Sequence, residues 1–298
     1  MERNLLIAIL AGLAGMAGWG LADFFAKKTI DKVGDMATLA WAHVFGVVII
    51  FALVVGRFLT DRPELRMPSR AEDVGILVFF GALQAAVYAF VYRAFGRGQL
   101  ALLNPVFSSY SGFVVVVSVL AFGEVIGSLM LFCLAVVFAG ILLINLDQAS
   151  FALRRLKFLR IPGMKEILAA VGLAAAWTVL WGHFVIGRDW LSYAALMYLF
   201  MSVTILVLCR AQRVSLRVRD RTTFKFFLLI GIAEVAAYVG VSYGYSLTAH
   251  TSIVAVLSAA FSIPTVFLAR AFLNERVTRL QLGGTALVIA GVVLVALA

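Results

Sequence analysis

The chain has 298 residues, 63% of them apolar and 13% charged, against about 45–50% and about 25% in soluble domains, so it has too little polar surface to cover itself in water. Its net charge of +10 does not point to nucleic acid, because the basic residues lie almost entirely between apolar runs, where they set topology against anionic lipid. Cys133 and Cys209 lie in or at the end of apolar runs without paired spacing, which gives no support to a disulfide or a metal site.

Ten apolar segments succeed one another, at 5–26, 37–56, 74–92, 100–121, 125–144, 166–186, 190–209, 224–246, 250–271 and 278–297. Roughly 20 apolar residues as a helix cross about 30 Å of hydrocarbon, so each segment is a candidate transmembrane helix. The first is too long for the core of a signal peptide and reads as a retained span. On it, Ala8, Gly12, Met16 and Gly20 form a narrow stripe suited to close helix contact. Trp19 and Asp23 come one turn apart. Trp19 suits either a pocket wall or an interfacial anchor, and Asp23 reads first as an i,i+4 partner of Lys27 near a helix end.

His43, His183 and His250 are scattered with no ligand spacing and read as hydrogen-bonded polar residues; no metal or cofactor is expected. Gln84, Tyr88 and Tyr92 share one face of the third span. Asn104-Pro105 in the fourth span and Ser262-Pro264 in the ninth interrupt the backbone ladder, leaving carbonyls to line a cavity or make a bend. Glu124 and Glu275 stand at span ends, where capping, or ion pairs with Arg270, Arg276 or Arg279, would hold them. Trp177 and Trp181, one turn apart on the sixth span, present aromatic faces suited to amphipathic or cationic organic molecules. Between the halves, Arg154, Arg155, Lys157 and Arg160 alternate with apolar residues, as a basic linker or a short helix on the membrane surface.

Glu234 lies mid-span in the eighth segment, where an acid costs about 2.5–3.5 kcal/mol to insert and is a functional candidate by default. Tyr238 and Tyr245 share its face. A proton-carrying switch and a permanently protonated structural clamp are the two readings of such an acid.

The longest join, 145–165, divides the ten segments five and five, and an offset of about 150 residues aligns the halves. Residues 81–88 then match 231–238: Gly81 with Gly231, Ala86 with Ala236, Tyr88 with Tyr238, and Gln84 in the place of Glu234. Gly123-Glu124 precedes Gly140 as Asn274-Glu275 precedes Gly291, and Tyr110-Ser111 matches Phe261-Ser262. An odd number of spans per repeat inverts the second half, which predicts a binding site at the repeat interface near the midplane. The fold class expected is an all-α integral membrane protein of ten transmembrane helices in two inverted five-helix repeats, 1–148 and 166–298, joined by a basic linker, 149–165.

These features resemble the drug/metabolite transporter superfamily, in its ten-helix EamA branch, over essentially the whole chain. The sharpest piece runs from Leu273-Asn274-Glu275-Arg276-Val277-Thr278 through Gly283-Gly284 to Gly291-Val292. Phe122-Gly123-Glu124 to Gly140-Ile141 is the weaker first-half version, and Trp19-Gly20 resembles the family's opening Trp-Gly. Where the family commonly has a proline, this chain has Tyr110-Ser111 and Phe261-Ser262, which removes the family's reason for a bend there. The resemblance implies a secondary carrier, often an exporter of amino acids or other small metabolites, and not an enzyme. It also implies a central cavity lined by the first, third, fourth, sixth, eighth and ninth helices, with the fifth and tenth peripheral.

The expectation is therefore a carrier in the cell membrane (inner or plasma), monomeric or homodimeric, whose partners are the lipid bilayer and a small organic substrate. The candidate substrate-binding residues are Trp19, Gln84, Tyr88, Asn104, Trp177, Trp181, Glu234 and Tyr238, with Glu234 also the proton-coupling residue. A passive channel or lipid scramblase on the same scaffold is the alternative. An intramembrane hydrolase ranks below it, since no Gly-x-Ser-x-Gly elbow occurs and no histidine has an evident serine partner. The Lys/Arg distribution, above all Arg210, Arg213, Arg217, Arg219 and Arg221, favours the N-terminus outside; members of the family usually keep both termini cytoplasmic.

Overall fold

The computed structural model describes residues 3–60, 66–68, 70–153, 160–248, 250–273 and 278–297. The linker residues Arg154, Arg155 and Lys157 and the Asn274-Glu275-Arg276 turn lie outside the described residues.

The described residues form helices and connecting turns, with no strand. They are α1 (Arg3–Val33), α2 (Asp35–Thr60), α3 (Ala71–Arg97), α4 (Leu100–Ser108), α5 (Tyr110–Phe122), α6 (Ser128–Leu153), α7 (Met164–Val185), α8 (Trp190–Ala211), α9 (Arg221–Leu247), α10 (Thr251–Ala259), α11 (Ser262–Leu273) and α12 (Arg279–Leu297). With α4 and α5 taken as one span, and α10 and α11 as another, they make the ten expected spans. Eight of these are long and apolar enough to cross a bilayer, judged on the described residues.

The ends obey local rules. Gly123, at φ +67°, turns the chain out of α5, and the Glu124 N–H closes the turn on the Ser118 carbonyl at 3.0 Å. Asp189 caps α8 by accepting from the Ser192 N–H (2.8 Å) and hydroxyl (2.7 Å), and Asp220 caps α9 through the Thr222 N–H (2.9 Å). α1 outruns its predicted end at residue 26 because Lys27 and Asp31, paired at 2.9 Å, carry the helix on toward Gly34.

The fourth and ninth spans each break in the middle, at Ser109 and at Ala260-Phe261, about one turn from the proline of each span, Pro105 inside α4 and Pro264 in the first turn of α11. Single tight turns replace the α ladder there: Ser109 N–H to Val106 O (3.2 Å), and Phe261 N–H to Ser258 O (3.1 Å). Hydroxyls take up nearby carbonyls, Ser111 on Ser108 (3.1 Å) and Thr265 on Phe261 (2.9 Å), so polar backbone at membrane depth stays satisfied inside the protein. The spans thus bend although the family's own proline positions hold Tyr110-Ser111 and Phe261-Ser262, and they do so next to the interruptions expected at Asn104-Pro105 and Ser262-Pro264. Pro105 and Pro264 each lack the N–H of an α ladder, and serine and threonine back-bonding supports the turns beside them.

Lipid-facing spans gain little from burying apolar surface against one another, so they associate through small residues that let backbones approach. A Cβ at Gly18 would stand 2.5 Å from the Ala233 carbonyl and 2.8 Å from the Ala237 Cβ, which places α1 directly on α9. Gly12 makes an equally close approach to Leu257 of α10 and Gly20 to Phe261 and Pro264 at the start of α11, so the small stripe of α1 packs on the ninth span, while Gly18, off that stripe, packs on α9.

The inversion shows in matched contacts. Gly81 of α3 abuts Phe200 and Met201 of α8, while its repeat mate Gly231 of α9 abuts Ala42 and Gly46 of α2. Gly140 of α6 faces Gly284 and Val288 of α12, and Gly291 of α12 faces Val137 of α6. That last pair packs chiefly on itself, beside the other spans. Glu124 caps across the two halves: its carboxylate accepts from the Ser252 N–H (3.1 Å) and hydroxyl (2.7 Å) at the start of α10. Glu124→Ala is expected to cost about 0.5–2 kcal/mol, as lost helix caps do. Thermal unfolding in detergent measures it, and an unchanged midpoint refutes the capping role.

Candidate functional site

Two buried polar neighbourhoods lie side by side where the halves meet. The first is a cavity of about 40 Å³, enough for a water or two, whose walls come from α1, α3, α4, α5, α7 and the break before α11. Trp19, Asp23, Gln84, Tyr88, Trp177 and Phe261 are among its lining. Helix spacing puts Trp19 and Asp23 on one face of α1, and Gln84 and Tyr88 on one face of α3. Trp19 is thus a wall of the cavity rather than an interfacial anchor, with its ring edge-on to Tyr238 (5.8 Å) and Phe261 (6.4 Å).

Asp23 departs from its expected role. Lys27 does not pair with it; that ammonium reaches Asp31 and the Phe95 carbonyl, the latter at 2.8 Å. Asp23 instead turns inward, and Asn104 Nδ2 donates to its Oδ2 at 2.5 Å. Asn104 is fully buried behind the cavity and positions Asp23. Trp181 also stands off the cavity, stacked on Trp177 at 5.5 Å and packed edge-on against Phe80 at 5.3 Å. Its part is to fix the Trp177 ring.

Glu234 does not line this cavity. It forms the second neighbourhood, with residues of α2 and α8. The Tyr198 hydroxyl donates to Glu234 Oε2 at 3.1 Å, and His43 Nε2 stands 3.6 Å from the same oxygen. His43 Nδ1 lies 2.9 Å from the Leu39 carbonyl, which can only accept, so Nδ1 carries a proton. In the neutral imidazole, Nε2 therefore presents its lone pair toward Glu234. Its ring stacks on Tyr198 at 5.3 Å and meets Tyr88 edge-on at 5.2 Å. An acid and a base, both with side chains 1% exposed, thus face each other with one proton to share.

Tyr88 and Tyr238, the matched tyrosines of the repeat, join the two neighbourhoods. Gln84 Nε2 donates to the Tyr238 hydroxyl at 2.6 Å. The Tyr238 ring touches Tyr198 (5.5 Å) on one side and Trp177 (6.0 Å) on the other. Gly46 leaves the space that the Tyr198 hydroxyl fills. Gly46→Ala is expected to push that hydroxyl off Glu234 and to reproduce the functional loss of Tyr198→Phe, with a lowered melting midpoint as well, because the new Cβ would also stand 2.6 and 2.7 Å from carbons of the buried Tyr198 ring. Paired transport and melting measurements on both variants check this; wild-type transport in Gly46→Ala overturns it.

A family model described as the EamA-like transporter family matches residues 6–146 and again 162–297. The chain belongs to the EamA-like transporter family. It is a multi-pass membrane protein of the drug/metabolite transporter superfamily, and the double match tracks its two inverted halves. A solved structure described as "Crystal structure of protein" has the same fold, with a TM-score of 0.70, 16% identity and 99% of each chain covered. No curated protein matches.

The sequence picked out Trp19, Gln84, Tyr88, Trp177, Glu234 and Tyr238, and the structure gathers them into these two adjoining groups. Asp23, Tyr198 and His43 were missed as site residues. For Tyr198 nothing in its own span marks it out. For His43 the signal was weak but present: a histidine in the middle of an apolar run needs a partner.

Proposed function

We propose that this EamA-family protein is a secondary active exporter of small organic metabolites that works by alternating access, in the cell membrane, with Glu234 carrying the coupling proton. One observation carries the reading. The cavity is walled by both halves, and the two broken spans, α4–α5 and α10–α11, meet it in equivalent positions. Broken helices at a repeat interface supply polar backbone and hinge points where a substrate must be held and released. The moving bodies are the two repeats, 1–148 and 166–298, linked through 149–165. The cavity of about 40 Å³ is far below the roughly 300 Å³ of a small-molecule site, so the walls part on loading.

The test is transport into proteoliposomes holding the purified protein, with and without a proton gradient. Saturable flux that the gradient drives uphill supports the carrier. Non-saturating, gradient-independent flux makes the protein a channel or scramblase instead. The basic loop 212–220 is expected to face the cytoplasm and the N-terminus the outside, by the positive-inside rule. Single cysteines at residues 3 and 215, labelled from outside in intact cells, check this, and labelling of only the second reverses it.

A further inference from the structure

We infer that the cavity is a binding site for a small organic monocation, such as an amine or quaternary ammonium compound, with the Asp23 carboxylate as its counter-ion. The inference narrows the substrate class of the carrier reading and rests on that reading for the transport step after binding.

Three observations carry it. Asp23 is the one acidic residue among the lining residues, and none of them is Lys, Arg or His. The nearest lysine along α1, Lys27, is committed to Asp31 and to backbone carbonyls. A carboxylate of this kind attracts a cation and has no protein cation to compete for it. The walls beside it are aromatic faces, Trp19, Tyr88 and Trp177 above all, and such rings attract a desolvated organic cation and hold its apolar shell.

The unpaired polar atoms complete the pattern. Within the lining, Gln84 Oε1 is a buried acceptor without a hydrogen-bond partner, and the indole N–H groups of Trp19 and Trp177 are buried donors without one. That acceptor suits the positive end of a ligand. The indoles suit a neutral oxygen on it, such as a hydroxyl. A zwitterion fits poorly, because its own carboxylate would enter a site that already holds one and offers no cation. The site thus selects against the amino acids that the family resemblance brings first to mind.

The experiment is equilibrium binding to the purified full-length protein, read by tryptophan fluorescence and by thermal shift, with three probes of similar size. Choline carries a single positive charge, betaine has the same trimethylammonium head but a carboxylate, and 3,3-dimethylbutan-1-ol is the uncharged isostere of choline. Choline is expected to bind at least about tenfold more tightly than either of the others. Asp23→Asn should erase that preference. Trp177→Leu should weaken choline more than the isostere, which keeps the test open if the aspartate variant folds poorly.

Equal affinity for choline and its isostere, a preference for betaine, or no saturable choline binding to the wild type overturns the inference. Choline binding that depends on Asp23 but leads to no flux leaves the inference standing and removes the carrier reading. Saturable, gradient-driven flux of a zwitterion or anion with no choline binding does the reverse.

Discussion

Glu234→Gln is expected to reduce proton-driven accumulation to the passive background while substrate-for-substrate exchange continues at a lowered rate. The reason lies in the pairing with His43. One proton shared by Glu234 and His43 leaves the pair neutral overall, whether the carboxyl donates to Nε2 or the imidazolium faces the carboxylate. Taking that proton away leaves a buried negative charge, and adding a second leaves a buried positive one. Both are costly in a site with side chains 1% exposed. The proton count can therefore change readily only when the site is wetted, which ties protonation to the opening of one face.

Glutamine keeps the shape and the hydrogen bond from Tyr198 but holds no exchangeable charge. The carrier can still cycle loaded in both directions and no longer senses the gradient. His43→Gln should show the same split, because it removes the base and leaves the acid without its partner. Reconstituted vesicles assayed for uphill accumulation and for exchange measure both arms. Wild-type accumulation by Glu234→Gln places the coupling elsewhere, with Asp23 the next residue to test. Equal loss of accumulation and exchange makes Glu234 a structural clamp.

Much of this was legible because membrane spans announce themselves. Apolar runs of the right length marked the ten segments, and a charge inside one drew attention to Glu234. The shared octet revealed the inversion, because the same glycine and tyrosine serve mirrored seams. What stayed hidden was which spans touch. His43 has no local spacing that marks it; it meets Glu234 only because α2 crosses α9 at Gly231. Asp23 had a tempting partner one turn away in Lys27, and only the fold shows Lys27 reaching instead for the end of α3. Glu234 looked like a cavity residue because it aligns with Gln84. The inverted halves are not identical, however, and Tyr238 stands between Glu234 and the space that Gln84 lines. The breaks in the fourth and ninth spans were legible from Pro105 and Pro264, but not their places at Ser109 and Ala260-Phe261, because the side-chain hydroxyls that support those turns are scattered through any membrane helix.

The seams between the halves lead to the other large effect. Gly81→Leu is expected to destabilise the folded protein by about 1–3 kcal/mol or more, the usual cost of overpacking. A Cβ at Gly81 would come within 2.6 Å of the Met201 backbone nitrogen and 2.7 Å of the Phe200 Cβ, and a backbone cannot swing aside as a side-chain tip can. Its repeat mate Gly231 is looser, with 3.0 Å to the Gly46 nitrogen and 3.2 Å to the Ala42 carbonyl. Gly231→Ala should therefore be the milder of the two alanine variants and Gly81→Ala the harsher. That order arises from the α3–α8 seam being packed more closely than the α2–α9 seam. If the halves rock about these two seams, the looser one has more room to move, and it is the seam that holds His43 against Glu234. Melting midpoints of the two alanine variants, measured in one detergent, decide the order. A Gly231→Ala protein that melts below Gly81→Ala overturns it, and with it the assignment of the looser seam to the proton site.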